Sequence, residues 1–212
     1  EGDFCPICTL PIPLPMQDHS VLMTCCMKRI CKGCYLAAQN RGMRDCAFCR
    51  TPPSDNDAAK LAMVQARVSK KNPEGINFLG EQYFHGGLGL QKDARRAVKC
   101  WEEAVELGSV DALYSLASCY RLGNGVEQNE AKGFHLYGKA AMQGHVESRC
   151  NLGIYEGDQG NYDRALRHLL ISAKMGHKES VLTIQESFKG GLATKEQCAE
   201  ALKGYQDAIE EM

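Results

Sequence analysis

The 212-residue sequence predicts a mainly α protein: a small metal-stabilised module followed by an α-solenoid of about four helix pairs. Three observations carry this expectation. Eight of the twelve cysteines fall within the first 50 residues. A helix-pair pattern recurs every 32 to 37 residues from position 73 onward. Between the two, "RTPPSDNDAAK" marks a sharp change of composition. The division expected is residues 1–51, a linker helix over 52–72, and repeats over 73–212.

In the first part the cysteines are Cys5, Cys8, Cys25, Cys26, Cys31, Cys34, Cys46 and Cys49. Such a cluster can serve as a disulfide framework, a redox pair or a metal site. Three Cys-x-x-Cys pairs favour metal, because two-residue spacing lets two thiolates reach one tetrahedral ion. With the adjacent Cys25 and Cys26 they make four pairs, enough for two sites. Spacing permits sequential sites (first pair with second, third with fourth) or interleaved ones (first with third, second with fourth). His19, six residues before Cys25, is the rival donor. The remaining cysteines, Cys100, Cys119, Cys150 and Cys198, are scattered singly in helical patterns and read as core residues of a reducing compartment.

The linker follows. Pro52 and Pro53 break regular structure, and Ser54 or Asp55 is expected to cap a helix. Leu61, Val64 and Val68 share one face of it, suited to docking the two parts together. Asn72 then reads as an N-cap, with Pro73 at the first position of the next helix.

From there a small residue recurs at Ala97, Gly133, Ala165 and Ala201. Trp101, Tyr137, Leu169 and Tyr205 follow four positions on, and Ala104, Ala140, Ser172 and Ala208 seven on. These spacings fall on one helical face. Gly108, Gly144 and Gly176 come eleven on, where a left-handed residue would close the helix; the fourth such position is Met212. The companion helices carry Leu79, Leu116 and Leu152, each followed by Gly80, Ala117 or Gly153, small enough for close helix approach. In the last pair Thr194 and Gln197 form a capping box. The pattern resembles Sel-one-like repeats of the tetratricopeptide superfamily, on "NGV" and "AAMQGH" above all. It implies a scaffold whose groove binds a partner protein.

Composition narrows the function. At 44% hydrophobic and 24% charged residues the chain is globular, and a formal net charge of -1 offers no clamp for nucleic acid. No apolar run approaches the ~20 residues of a membrane span. The chain is expected to be intracellular, cytoplasmic or nuclear. It opens "EGDFCPIC" without Met, as an excised fragment would.

The cysteine segment resembles a RING finger: "CPIC" opens it, "CMKRICKGC" forms the middle and "CAFCR" closes it. The resemblance implies interleaved zinc sites, the first on Cys5, Cys8, Cys31 and Cys34, the second on Cys25, Cys26, Cys46 and Cys49. Lys28 stands where most members have a histidine ligand, so the doublet makes this an all-cysteine variant. Eight thiolates and two Zn2+ ions would bring residues 1–50 from a formal +2 to about -2. RING fingers position a ubiquitin-conjugating enzyme for transfer of ubiquitin to a lysine, supplying no nucleophile. Ile7, Leu10 and Pro11 match the family's docking loop, and Arg50 matches the arginine bridging enzyme and ubiquitin. Ala47 and "CYLAAQN" depart from the family's proline and bulky aromatic, with Tyr35 as the nearest substitute. The functional expectation is therefore a RING-type ubiquitin ligase whose solenoid selects a substrate or adaptor. The alternative is a non-catalytic zinc-stabilised interaction scaffold.

Overall fold

The structure, a computed structural model, describes residues 4–210. Met212, the fourth member of the glycine series, lies outside the described residues.

A short helix α1 (Met16–His19) leads into strands β1 (Ser20–Met23) and β2 (Lys28–Cys31), which pair antiparallel with Val21 opposite Ile30. Helix α2 (Lys32–Asn40) follows directly, and the Cys31 sulfur accepts one of the free N–H groups of its first turn, from Cys34 at 3.3 Å. Cys5, Ile12 and Ile30 form the buried centre of this module, with Val21, Met23, Tyr35 and Phe48 around them. That core is small, as the sequence led one to expect.

Helix α3 (Asp57–Val68) is the linker helix. Its cap is Asn56, whose side chain accepts from Ala58 N–H at 2.8 Å, and neither Ser54 nor Asp55 fills that role. Ser54 instead accepts from Asn56 N–H, which sets the turn before the cap. Four helix pairs succeed it: α4 (Pro73–His85) with α5 (Ala94–Glu106), α6 (Val110–Leu122) with α7 (Glu130–Met142), α8 (Val146–Asp158) with α9 (Tyr162–Lys174), and α10 (Lys178–Lys189) with α11 (Lys195–Glu210). Asn72 caps α4 through Gly75 N–H, with Pro73 at its start.

Each helix packs on its neighbours in chain order, so the pairs stack into a solenoid. The periodic positions face inward: Ala97, Trp101, Ala104, Tyr137, Ala140 and Leu169 are all buried. Gly108, Gly144 and Gly176 take φ near +90°, closing the helices before them. The fourth pair is present too, with Ala201 buried and Thr194 and Gln197 exchanging both capping-box hydrogen bonds. Cys119 and Cys150 are buried in the repeats, while Cys100 and Cys198 are partly covered.

Candidate metal centre

Two knuckles built alike organise the cysteine module. In the first, Cys5 N–H donates to Leu10 O and Thr9 N–H to Cys5 O, each at 2.8 Å. In the second, Cys46 N–H donates to Thr51 O at 2.9 Å and Arg50 N–H to Cys46 O at 3.0 Å. Thr9 and Arg50 hold the same place, each with φ just under +60°. Each turn aims its two sulfurs to one side. Cys31 and Cys34 come from the end of β2 and the start of α2, and Cys25 and Cys26 from the turn between the strands.

The sulfurs of Cys5, Cys8, Cys31 and Cys34 lie within 4.8 Å of one another, as do those of Cys25, Cys26, Cys46 and Cys49. The structure thus brings the first cysteine pair to the third and the second to the fourth. Cys8 lies 3.9 Å from Cys31, Cys26 3.7 Å from Cys46, and Cys49 3.3 Å from Cys25, sulfur to sulfur. A tetrahedral ion with metal–sulfur bonds of about 2.3 Å holds its sulfurs about 3.8 Å apart, whereas a disulfide needs about 2.05 Å. All eight thiols are free. The two groups could each hold a metal ion.

Their electrostatics agree. In each group one thiol is held low while partners are pushed up. Burial works against ionisation of Cys5, but bonds from the backbone N–H groups of Cys8, Cys31 and Ile7 bring its thiol down to about 6. Burial likewise opposes ionisation of Cys49, which the hydroxyl and N–H of Thr51 bring down to about 6. Burial and neighbouring sulfurs raise Cys34 to about 12, and raise Cys25 as well. Four sulfurs this close cannot all ionise by themselves, and a dication at the centre reverses that balance.

The other residues singled out in the sequence have clear places. His19 is exposed at the end of α1 and belongs to neither sulfur group. Lys28 sets its ammonium over the Phe48 ring at 4.8 Å, a cation–π contact at the position where the RING resemblance led one to look for a histidine. Ile7 is 46% and Leu10 58% exposed, Arg50 is exposed, and Pro11 is partly covered by its bridge with Phe4. Tyr35 packs into the module core, so it does not replace the missing surface aromatic. Its neighbour Leu36, 54% exposed on α2, was not singled out in the sequence, where a lone leucine carries no signal. His145, the last residue of "AAMQGH", caps α8 by accepting from Ser148 N–H, and at the matching place before α10 His177 bonds the Ser180 hydroxyl.

Fold and site together define a helix-pair repeat protein with a thiol-rich, cross-braced module at its N-terminal side. The family model of the Sel1 repeat matches residues 73–109, 110–145 and 146–177, so this stretch consists of Sel1 repeats. The fourth helix pair lies beyond that match. A Sel1 repeat protein from Oxalobacter formigenes has the same fold, with a TM-score of 0.64 at 21% identity over 84% of this chain and 73% of its own. A protective antigen of uropathogenic Escherichia coli with an SLR fold gives 0.60 at 24%, over 73% of this chain and 34% of its own. By sequence, chitin synthase regulatory factor 3 of Schizosaccharomyces pombe is 26% identical over 62% of this chain. Protein SHC1 of Saccharomyces cerevisiae is 31% identical over 47%. The chain spans only 15% and 19% of those two relatives' lengths. Among the described residues no helix is long and apolar enough to cross a membrane.

Proposed function

We propose that the protein is a zinc-stabilised protein–protein interaction scaffold, with a zinc module over residues 1–51, a linker helix over 52–72 and a partner-binding array over 73–212. The observation that carries this reading is the pair of four-sulfur groups, each closed, interleaved through a module that sits on Sel1 repeats. Cys5, Cys8, Cys31 and Cys34 would hold one Zn2+ ion, and Cys25, Cys26, Cys46 and Cys49 the other. Soft thiolate ligands at tetrahedral separations suit zinc. Zinc would supply a cross-link in place of a large core. Four thiolates complete its coordination, so the sites are structural and leave no position for a water nucleophile. Relatives named as regulatory factors support a role exerted through protein contact.

A finer reading, the RING-type ubiquitin ligase, draws on one further observation. Ile7 and Leu10 are exposed on the first knuckle, and Arg50 is exposed on the second. In that reading the knuckle docks a ubiquitin-conjugating enzyme and Arg50 steadies ubiquitin. A substrate lysine then takes the acyl group from the enzyme's thioester, which leaves as thiol. The array holds the substrate or adaptor.

A photo-crosslinking residue at position 7 and another at position 154, on α8, test the scaffold. Distinct partner proteins at the two positions are expected, and a chain that captures no specific partner from either position overturns the reading. Titration with a panel of conjugating enzymes and single-turnover discharge of their ubiquitin to free lysine decide the finer one. Binding without acceleration, or no binding, removes the ligase and leaves the scaffold.

A further inference from the structure

The Arg67 guanidinium reaches from α3 into the module and donates two hydrogen bonds to the Cys25 carbonyl oxygen, from Nε at 2.8 Å and Nη2 at 2.6 Å. Cys25 belongs to the second sulfur group. On its other side Arg67 holds the entrance to the repeats. Its own carbonyl accepts from Lys70 N–H and Asn72 N–H, both at 3.1 Å, and Asn72 is the cap of α4. The first turn of α4 presses against it so closely that a Cβ on Gly75 would lie 2.8 Å from Arg67 Cβ.

Apolar packing follows the same route. Met27, next to Cys26 and at φ +56°, is buried with Val64 of α3 and Leu79 of α4. Leu22, Leu61 and Val68 close the cluster. Leu79 occupies the position that Leu116 holds one repeat later, and α3 packs on α4 as α5 packs on α6. The linker helix and the turn bearing Cys25 and Cys26 therefore cover the N-terminal end of the solenoid, where a terminal unit is needed.

We infer that Arg67 is a positioning residue for the second metal site, coupling metal held by Cys25, Cys26, Cys46 and Cys49 to the folding of the first repeat. The inference rests on the zinc reading above. Metal at this site holds the 23–28 turn in shape, and Arg67 and Met27 pass that constraint to α4. Linkage is reciprocal, so loss of the Arg67 contact loosens the metal. Among the described residues Arg67 makes no hydrogen bond to the first site, on Cys5, Cys8, Cys31 and Cys34.

The test is thiol footprinting of the full metal-loaded chain under a chelator, with each cysteine followed by mass spectrometry. Arg67→Met should speed labelling of Cys25, Cys26, Cys46 and Cys49 at least fivefold and leave Cys5, Cys8, Cys31 and Cys34 at the wild-type rate. Arg67→Lys, with its charge but no planar fork, should fall between. In wild type, metal removal should accelerate amide exchange over residues 73–85 at least tenfold while residues 162–174 change little. Equal effects of Arg67→Met on both sites, or none, overturn the inference while two bound metals leave the zinc reading standing. Unchanged exchange over 73–85 in metal-free wild type overturns it as well, without any variant. A chain that binds no metal overturns both.

Discussion

Gly80 on α4 lies so close to Trp101 on α5 that a Cβ on the glycine would sit 2.7 Å from the indole Nε1. The same pairing recurs at Gly153, where a Cβ would lie 2.8 Å from Leu169 Cγ. In these two pairs a large side chain on one helix thus fills the space that a glycine leaves on the other. The arrangement is packing alone, since the buried Trp101 N–H has no hydrogen-bond partner among the described residues. Gly80→Ala should therefore destabilise the array. Overpacking costs roughly 1–3 kcal/mol, against about 1 kcal/mol gained from alanine's helix propensity. Gly138, mid-helix on α7, is the control: a Cβ there meets nothing within 4 Å. Gly138→Ala should stabilise by up to about 1 kcal/mol. Urea midpoints of the two variants should move in opposite directions.

The inward face was legible in the sequence, because a periodic pattern repeated four times averages out chance. Ala97, Gly133, Ala165 and Ala201 fix the inward face, and the glycines at 108, 144 and 176 mark where the helices close. Features that occur once are harder to see. Ser54, Asp55 and Asn56 are all good caps, and only the path of the chain selects Asn56. Arg67 reads as one more charge on a helix, since its contact with Cys25 spans 42 residues. The metal pairing stands between these cases. Spacing allowed sequential or interleaved sites, and the family resemblance, not the spacing, pointed to the interleaved set.

Cys31→Ser distinguishes the two pairings in solution. With interleaved sites it should cost one of two zinc ions and expose Cys5, Cys8 and Cys34 to alkylation. Cys25, Cys26, Cys46 and Cys49 should stay protected. Sequential sites would instead release Cys34, Cys46 and Cys49 together. Metal content by mass spectrometry and labelling by peptide mapping read both outcomes from one sample.

Glu81 gives the array a pH dependence of defined sign. Burial, then the nearby Asp111 carboxylate, push its carboxyl up to about 6, against the Asn77 side chain that donates to it at 3.2 Å. A carboxyl raised in the folded state is favoured there in its neutral form. Stability falls as pH rises from the unfolded value of 4.5 through 6. Glu81→Gln keeps the acceptor for Asn77 and removes the charge. It should therefore be more stable than wild type at pH 7.5, by roughly 1 kcal/mol, with the gap closing as pH falls toward 4.5. Thermal melts of both chains at each pH give the difference directly. A gap that widens on acidification would refute the sign.

The exposed knuckle predicts two separable steps if the module engages ubiquitin chemistry. Ile7 and Leu10 are apolar and partly open to solvent beside the first sulfur group. Truncating an interface anchor of that size costs roughly 1–3 kcal/mol, so Ile7→Ala should weaken docking of a conjugating enzyme about five- to 150-fold. Arg50 sits at the equivalent turn of the other knuckle, and its Nη1 donates to the Met43 sulfur at 3.5 Å. It would meet ubiquitin only when the thioester is poised. Arg50→Ala should then slow single-turnover discharge while leaving affinity for the uncharged enzyme nearly unchanged. Neither side chain is among the sulfur ligands, so both variants should keep two zinc ions. Titration calorimetry and discharge to free lysine separate the steps. If Ile7→Ala leaves affinity unchanged, the first knuckle is not the docking surface. If Arg50→Ala weakens docking as much as Ile7→Ala does, the two act as one contact patch and the proposed division of labour fails.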